Sequence, residues 1–335
     1  MIDHTLLRTA AESDTEAAGA SLGRSLHVIP VTIGLSGAIG VGKTSFMRGF
    51  LRGLGITGAI TSPTYALEQR YTTTRGTVTH IDLYRLSTKE ACEALRSSED
   101  DAAIRCIEWS ERAGDALNCD IHVTIEEVQK NARVLTISTN DVSWPDDRMI
   151  NTWRNTVCLP ENIRAHCDAV AEICRRIADA LIERGQFVRR EFLAAAGKTH
   201  DLFRFVDFRP DAAPPGYEEP QQDRAVWDAW MKTHPATSHE EAIGSFLLAQ
   251  GFSALARTTA EHSIHVPLQQ RSTIESHILY YADKRVIGDR CVTIDERYRD
   301  FDRRYRNGTR TEESDRWEQD ARDTEHILFP EGAPF

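Results

Sequence analysis

The sequence predicts an α/β domain followed by an all-α domain. Up to about residue 140, short β-branched apolar runs alternate with helical patterns and Gly-rich breaks. Over 142–160 (VSWPDDRMINTWRNTVCLP) that periodicity is lost. From Glu161 onward the pattern is almost wholly helical. A length of 335 residues favours two domains over one, and 41% hydrophobic residues is ordinary for a chain with real cores. The expected division is 1–141 for the α/β domain, 142–158 for a linker, 159–300 for the helical domain and 301–335 for a charged extension.

Taken in order, Ser13-Asp14-Thr15-Glu16 reads as a capping box with Ser13 as N-cap, opening a helix through Leu22 and Leu26. Pro30 starts a buried strand whose short β-branched apolar run begins at Val31. Phe46, Met47, Phe50, Leu51 and Leu54 then recur at helical spacing. A strand-like segment from Tyr65 to Tyr71 is joined by a turn at Arg75-Gly76 to a second strand ending at Asp82. Residues 89–97 read as helix. Ile104–Trp109, His122–Ile125 and Val134–Ile137 read as further strands. Trp144 and Trp153 are expected to dock at the domain interface.

Between the first strand and its helix lies GLSGAIGVGKTS, which fits G-x-x-x-x-G-K-[ST] at Gly37, Gly42, Lys43 and Thr44. Strand, Gly-rich loop and helix together make a phosphate-binding P-loop, so the first domain is P-loop NTPase-like. Glycines let backbone N–H groups turn inward around an anion, and the helix N-terminus adds partial positive charge. Gly37, Ala38, Gly40, Val41, Gly42, Lys43, Thr44 and Ser45 are the expected cradle. Lys43 would reach the β/γ-phosphates of a nucleotide, and Thr44 would place its hydroxyl on Mg²⁺. Asp82 and Glu108 each end a strand, where ligands of α/β sheets sit. Asp82 would hold Mg²⁺, and Glu108 would orient a water or a phosphate-bound metal.

The series GLSGAIGVGKTSFMRGF, SPTYALEQRY, HIDLYRL and IEWSER resembles the TsaE family, the small P-loop ATPases of bacterial threonylcarbamoyladenosine (t6A) tRNA modification. The resemblance covers roughly 11–140. It implies ATP binding through Lys43 and Thr44, Mg²⁺ contact through Thr44 and Asp82, and active-site roles for Glu108 and Trp109. It also implies a switch-like segment, Thr61–Thr64, with Thr64 near the γ-phosphate. Partners would be TsaB/TsaD-like proteins, with tRNA met only through that complex. Where the family usually has proline after Glu-Trp, this chain has Ser110.

In the second half, Ile163, His166, Val170, Ile173, Ile177 and Leu181 share one helix face ending near Gly185. Helical patterns follow at Phe192–Ala196, His239–Phe246, Phe252–His262 and Ile274–Ile287, with a Pro/Gly-rich loop at Arg209–Pro220. His166, His200, Asp201 and Asp283 resemble the H…HD…D series of HD-domain metallohydrolases, over roughly 159–290. His239 and His262 occupy the places of second-metal ligands in that family, and His234 and His265 are near enough to substitute. Imidazole and carboxylate donors suit Mn, Fe, Zn or Mg. Such an ion lowers the pKa of water for attack on phosphorus, and Arg204 would meet a phosphate oxygen. The charge-dense stretch Arg299–Arg322 reads as a solvated helix or partly ordered tail.

Net charge is −11 and neither half is basic, which argues against nucleic-acid binding by the surface as a whole. No apolar run reaches membrane-spanning length, and the first residues lack the apolar stretch of a signal peptide. Seven cysteines without a CxxC pair fit reduced thiols in a cytoplasm. The sequence therefore reads as a TsaE-like ATPase fused to an HD-type phosphohydrolase of a nucleotide or other phosphoester. The alternative is a nucleotide-sensing module that controls the HD site with little ATP turnover.

Overall fold

The computed structural model describes residues 3–60, 63, 67–97, 103–208, 221–305 and 308–334. The chain divides into two compact units, residues 1–142 with 180–189, and residues 143–179 with 190–335.

The first unit is a seven-stranded mixed sheet with helices. Its strands are β1 (Asp3–Thr9), β2 (Val31–Ser36), β3 (Glu68–Thr73), β4 (Gly76–Asp82), β5 (Ile104–Glu108), β6 (Ile121–Gln129) and β7 (Ala132–Thr139). They lie in the order β1-β7-β6-β2-β5-β4-β3. The central four, β6-β2-β5-β4, are mutually parallel; antiparallel pairing adds β7 beyond β6, then β1 beyond β7, and β3 beyond β4. The central strands are apolar because parallel strands are covered on both faces: Ile33, Leu35, Ile104, Ile107, Ile121 and Val123 are all fully buried. Parallel pairing in register aligns Asp82 with Glu108 and His80 with Cys106. Side chains two apart share a face, so His80, Asp82 and Glu108 project to one side of the sheet.

Helix α1 (Glu12–Arg24) packs on α2 (Lys43–Gly53) backbone to backbone. A Cβ at Gly19 would strike Phe46 O, and one at Gly49 would strike Glu16 O. This close approach fixes α2, with Phe46, Met47 and Phe50 driven into the core. A third helix, α3, spans Thr88–Ser97. The cap of α1 differs from the expected box. The helix starts at Glu12, and Asp14 Oδ2 accepts from the amides of Ala10 and Ala11. Glu16 instead pairs with Arg48 and with Arg52. Segment 180–189 belongs to this unit. Phe187 joins its core, and the buried Arg189 guanidinium lies 2.7 Å from Asp141.

The second unit is largely helical: α4 (Asp147–Thr156), α5 (Glu161–Glu183, its last residues in the first unit), α6 (Arg190–Thr199), α7 (Gln221–Thr233), α8 (His239–Ala249), α9 (Ser253–Ala260), α10 (Ile274–Asp283), α11 (Ile294–Tyr305) and α12 (Glu312–Leu328). A two-stranded ribbon, β8 (Val286–Ile287) and β9 (Arg290–Cys291), follows α10. Helix α4 falls where the sequence suggested irregular chain. Asp146 caps it by accepting from Met149 N at 2.7 Å. The expectation for the tryptophans is corrected too, since both pack within the second unit. Trp144 meets Phe192, and Trp153 meets Phe246 and Phe252. The charged stretch after Arg299 folds into α11 and α12, with Tyr298, Ala321 and Leu328 buried. Among the described residues, no helix is long and apolar enough to cross a membrane.

Candidate functional site

In the first unit, β2 delivers the chain to a loop in which Gly37, Gly40 and Gly42 all adopt positive φ, at 139°, 74° and 113°. Only glycine takes these angles without strain, and a Cβ at Gly37 would also strike Ile125 O. Lys43 opens α2, and its Nζ donates to Gly37 O at 2.7 Å and Ala38 O at 2.9 Å. The same ammonium sits 3.5 Å from the centroid of the Trp109 ring, a cation–π contact. Burial pushes the Lys43 pKa down, while Glu111, Glu108 and Asp82 pull it back up. Thr44 Oγ1 donates to Glu108 Oε2 at 3.0 Å. Asp82 Oδ1 accepts from Tyr84 N at 2.9 Å. Trp109, in the left-handed region at φ 61°, packs on Tyr84 with centroids 4.9 Å apart.

These groups converge on a cavity of about 310 Å³, a size that suits a small ligand. Gly40, Gly42, Lys43, Thr44, Ser45, Asp82, Glu108 and Trp109 all line it. Two other expected cradle residues are engaged through their backbones. Ala38 O accepts from Lys43, and Val41 O accepts from Arg133 Nε at 2.6 Å while its side chain enters the core. The Ser45 hydroxyl donates to Glu12 Oε1 at 2.8 Å. Thr64 lies outside the described residues, as does most of the expected switch segment.

In the second unit, α5, α6, α8, α9 and α10 bring six sequence-selected residues together. His239 Nε2 lies 3.0 Å from Asp201 Oδ1, and His262 Nε2 lies 3.9 Å from the same oxygen. His200 Nε2 is 3.7 Å from Asp201 Oδ2 and 3.9 Å from Asp283 Oδ1. His166 Nε2 is 3.1 Å from Asp283 Oδ1. His166, His200 and Asp201 can offer ligand atoms within 4.8 Å of one another, as can Asp201, His239 and His262. Asp201 belongs to both groups. His234 and His265 join neither group: His234 stacks on Trp230, and His265 lines the cavity beside the cluster, edge-on to Trp317.

The rings are oriented as metal ligands are oriented. His166 Nδ1 is held by Gly288 O at 3.0 Å, His200 Nδ1 by Gly197 O at 2.8 Å, and His262 Nδ1 by Thr259 O. His239 Nδ1 pairs with Asp207. Donating Nδ1–H to an oxygen leaves the Nε2 lone pair free for a cation. His200 Nε2 is buried and makes no hydrogen bond, which is costly unless something else satisfies it. Burial pushes the His200 pKa down, and burial with its neighbours His200 and His239 takes His262 to about 3. Burial opposes ionisation of Asp201 and Asp283, yet nearby cations hold both well below the usual carboxylate range. For Asp201 these are Arg204 and His239; for Asp283 they include Lys284 and Arg297. His239, against burial, is raised to about 9 by Asp201 and Asp207, so ligation there would release a proton. Arg204 Nη1 stands 3.9 Å from Asp201 and 3.6 Å from Asp207.

Residues 9–135 match the family model described as "Threonylcarbamoyl adenosine biosynthesis protein TsaE". Similar proteins bear the name "tRNA threonylcarbamoyladenosine biosynthesis protein TsaE". That of Haemophilus influenzae is 38% identical over 99 residues, covering 29% of this chain and 63% of its own length. That of Synechocystis is 39% identical over 103 residues, covering 29% and 65%. That of Treponema pallidum is 34% identical over 128 residues, covering 37% of this chain and 93% of its own length. The chain belongs to the TsaE family. It spans just under two thirds of the first two relatives and nearly all of the third.

Within the TsaE unit, sequence reasoning passed over Ile39 and Tyr84, which line the cavity, and His80 behind it. His80 is fully buried, and its Nε2–H donates to Glu108 Oε1 at 3.0 Å. Glu108 itself is only 2% exposed and is thus held by Thr44 on one oxygen and His80 on the other. The signal was present as the alternation His-x-Asp on β4, which sets His80 on the face of Asp82.

Proposed function

We propose that the TsaE unit is an ATP-binding and ATP-hydrolysing component of t6A synthesis, working with TsaB/TsaD-like partners. The observation that carries this is the convergence of Lys43, Thr44, Asp82, Glu108 and Trp109 on one cavity beneath a glycine loop. Loop amides, α2 and Lys43 bind the phosphates. Thr44 and Asp82 are the residues that would hold Mg²⁺, which neutralises phosphate charge when bound. Glu108, fixed by His80, orients the attacking water. ATP hydrolysis with and without the partner proteins tests this. Tight ATP binding with negligible turnover in both would replace it with a nucleotide-sensing role.

We further propose that residues 159–300 form an HD-type metal-dependent phosphohydrolase of a nucleotide or other phosphoester. The observation that supports it is the set of four histidines with Nδ1 secured, joined by Asp201, together with the unbonded His200 Nε2. Their imidazole and carboxylate donors fit Mn, Fe or Zn at His166, His200, Asp201, Asp283, His239 and His262. A bound ion would supply Lewis acidity toward water and phosphate. Arg204 would pair with a phosphate oxygen. Elemental analysis of the purified protein, combined with a phosphoester screen, tests this reading. Absence of any divalent metal after loading would overturn it.

A further inference from the structure

The histidine–aspartate cluster opens into a cavity of about 460 Å³, large enough for a ligand well beyond a phosphate ion. The rest of its wall comes from the C-terminal helices. On α11, Arg297, Phe301 and Arg304 line the cavity. They are spaced i, i+4, i+7, and so share one face of the helix. That face has a direction. Arg297 Nη2 lies 3.8 Å from Asp283 Oδ1, at the cluster itself. Phe301 is one turn further, about 6 Å along the axis at 1.5 Å per residue. There it meets Trp317 of α12, ring centroids 5.7 Å apart and nearly perpendicular. His265 stands edge-on to the same indole at 6.0 Å.

This aromatic wall is built into the fold. Tyr298 OH donates to Trp317 O at 2.8 Å. Ser314 Oγ donates to Asp302 Oδ1 at 2.8 Å, tying α12 to α11. Arg271, its side chain fully buried, pairs with Asp320 at 2.6 Å, and Tyr281 OH donates to Glu325 at 2.6 Å. Helix α12, which carries Trp317, is thus held at several points.

We propose that Trp317 and Phe301 form a base-binding wall, and that the ligand of this cavity is a nucleoside 5′-monophosphate. The inference rests on the metal-hydrolase reading of the second unit and adds the substrate class. With the phosphate at the cluster beside Arg204 and Arg297, the aromatic face begins one helical turn, about 6 Å, further along α11, a rise that a sugar between phosphate and base would fill. A phenyl phosphate would be too short to span that interval, and a glycerol phosphate would bring no ring to stack. In the reaction, the oxygen of water bonds to phosphorus and the P–O5′ bond breaks. The water proton passes to the departing 5′ oxygen, giving nucleoside and inorganic phosphate.

The test uses the full-length chain carrying Lys43→Ala, so that nucleotide at the P-loop does not contribute. Phosphate release from AMP, GMP, CMP and UMP is compared with release from glycerol 3-phosphate in the Mn²⁺-loaded protein. AMP binding is measured separately by titration calorimetry. The nucleotides should be preferred at least roughly ten-fold, and Trp317→Ala should cut the ratio of kcat/KM for AMP over glycerol phosphate by roughly 5- to 150-fold, the range for loss of one base–aromatic stack. Trp317→Phe should retain most of the preference, which separates stacking from a folding defect. Hydrolysis of glycerol phosphate as efficiently as AMP, with a ratio unmoved by Trp317→Ala, would overturn the base-binding wall and leave the phosphohydrolase reading standing. AMP binding weakened by Trp317→Ala, without hydrolysis of any ester, would support the wall and overturn the hydrolase. No binding and no hydrolysis would overturn both.

Discussion

Replacing His80 by alanine isolates the contribution of a residue that touches neither the loop nor the cavity. Its Nε2–H holds Glu108 Oε1 at 3.0 Å inside a fully buried setting, while Thr44 holds Oε2. Alanine would leave one oxygen of a 2%-exposed carboxylate without its donor. A hydrogen bond to a charged group contributes about 1.5–3 kcal/mol. At 1.4 kcal/mol per factor of ten, that is roughly 10- to 150-fold. If Glu108 orients water, the loss should fall on kcat, because a misaimed carboxylate spoils the transition state more than ground-state affinity. His80→Ala should therefore lower kcat for ATP by that factor and leave the Kd for ATP within about three-fold. His80→Gln, which keeps an N–H donor, should recover part of the rate. Steady-state phosphate release with partner proteins, paired with equilibrium binding of a fluorescent ATP analogue, provides both numbers. Parental kcat in a folded His80→Ala protein would refute the positioning role.

Other perturbations separate the remaining parts. Lys43→Ala should abolish ATP binding, since Nζ is the loop's only side-chain cation; retained ATP turnover would falsify the P-loop assignment. Asp82→Asn should weaken Mg²⁺-dependent nucleotide binding, whereas Glu108→Gln should chiefly slow turnover, and equal parental rates in both would remove their roles. Asp201→Asn should lose metal and all phosphoester hydrolysis while ATP binding persists, because a neutral amide is a poor ligand for a hard cation; elemental analysis reads this directly. His239→Ala should lose one metal equivalent and keep one if the site is dinuclear, and a single equivalent in the parent would reduce it to a mononuclear site.

The central strands were legible because β-branched residues buried on both faces leave continuous apolar runs. Strand β1 was not, because two of its three inward residues are Thr5 and Thr9, so its alternation carries little hydrophobic contrast. Helix α4 hid behind Pro145 and its tryptophans, although Ile150, Trp153 and Val157 keep helical spacing after the Asp146 cap. The cap of α1 was misplaced because Ser13 is a good cap by type, whereas the helix starts after Ala11, which has no capping side chain, and Asp14 at N3 accepts from the preceding amides instead. The loop glycines were legible from their pattern alone. The choice of His239 and His262 rested on the family resemblance and left His234 and His265 open, since the alternatives are close in sequence and tertiary packing aims His239 and His262 at Asp201. The aromatic wall was invisible for the same reason, its members lying in a stretch whose composition reads as solvated.

The inclusion of segment 180–189 in the first unit bears on how this chain is made. Residues leave the ribosome in order, so the first unit cannot complete its core when residue 142 emerges. Phe187 is part of that core, and Arg189 is the buried partner of Asp141. Until they arrive, Asp141 has a place in the fold but no counter-charge, a defect of about 3–5 kcal/mol for a broken buried pair. Against a typical net stability of about 5–15 kcal/mol, that deficit is large. A fragment ending at 142 should accordingly be poorly soluble or short-lived, while one extended through 189 has every group this core uses. Synthesis of the first 37 residues of the helical unit thus precedes completion of the nucleotide-binding unit, and nascent-chain lifetime becomes a property the two halves share.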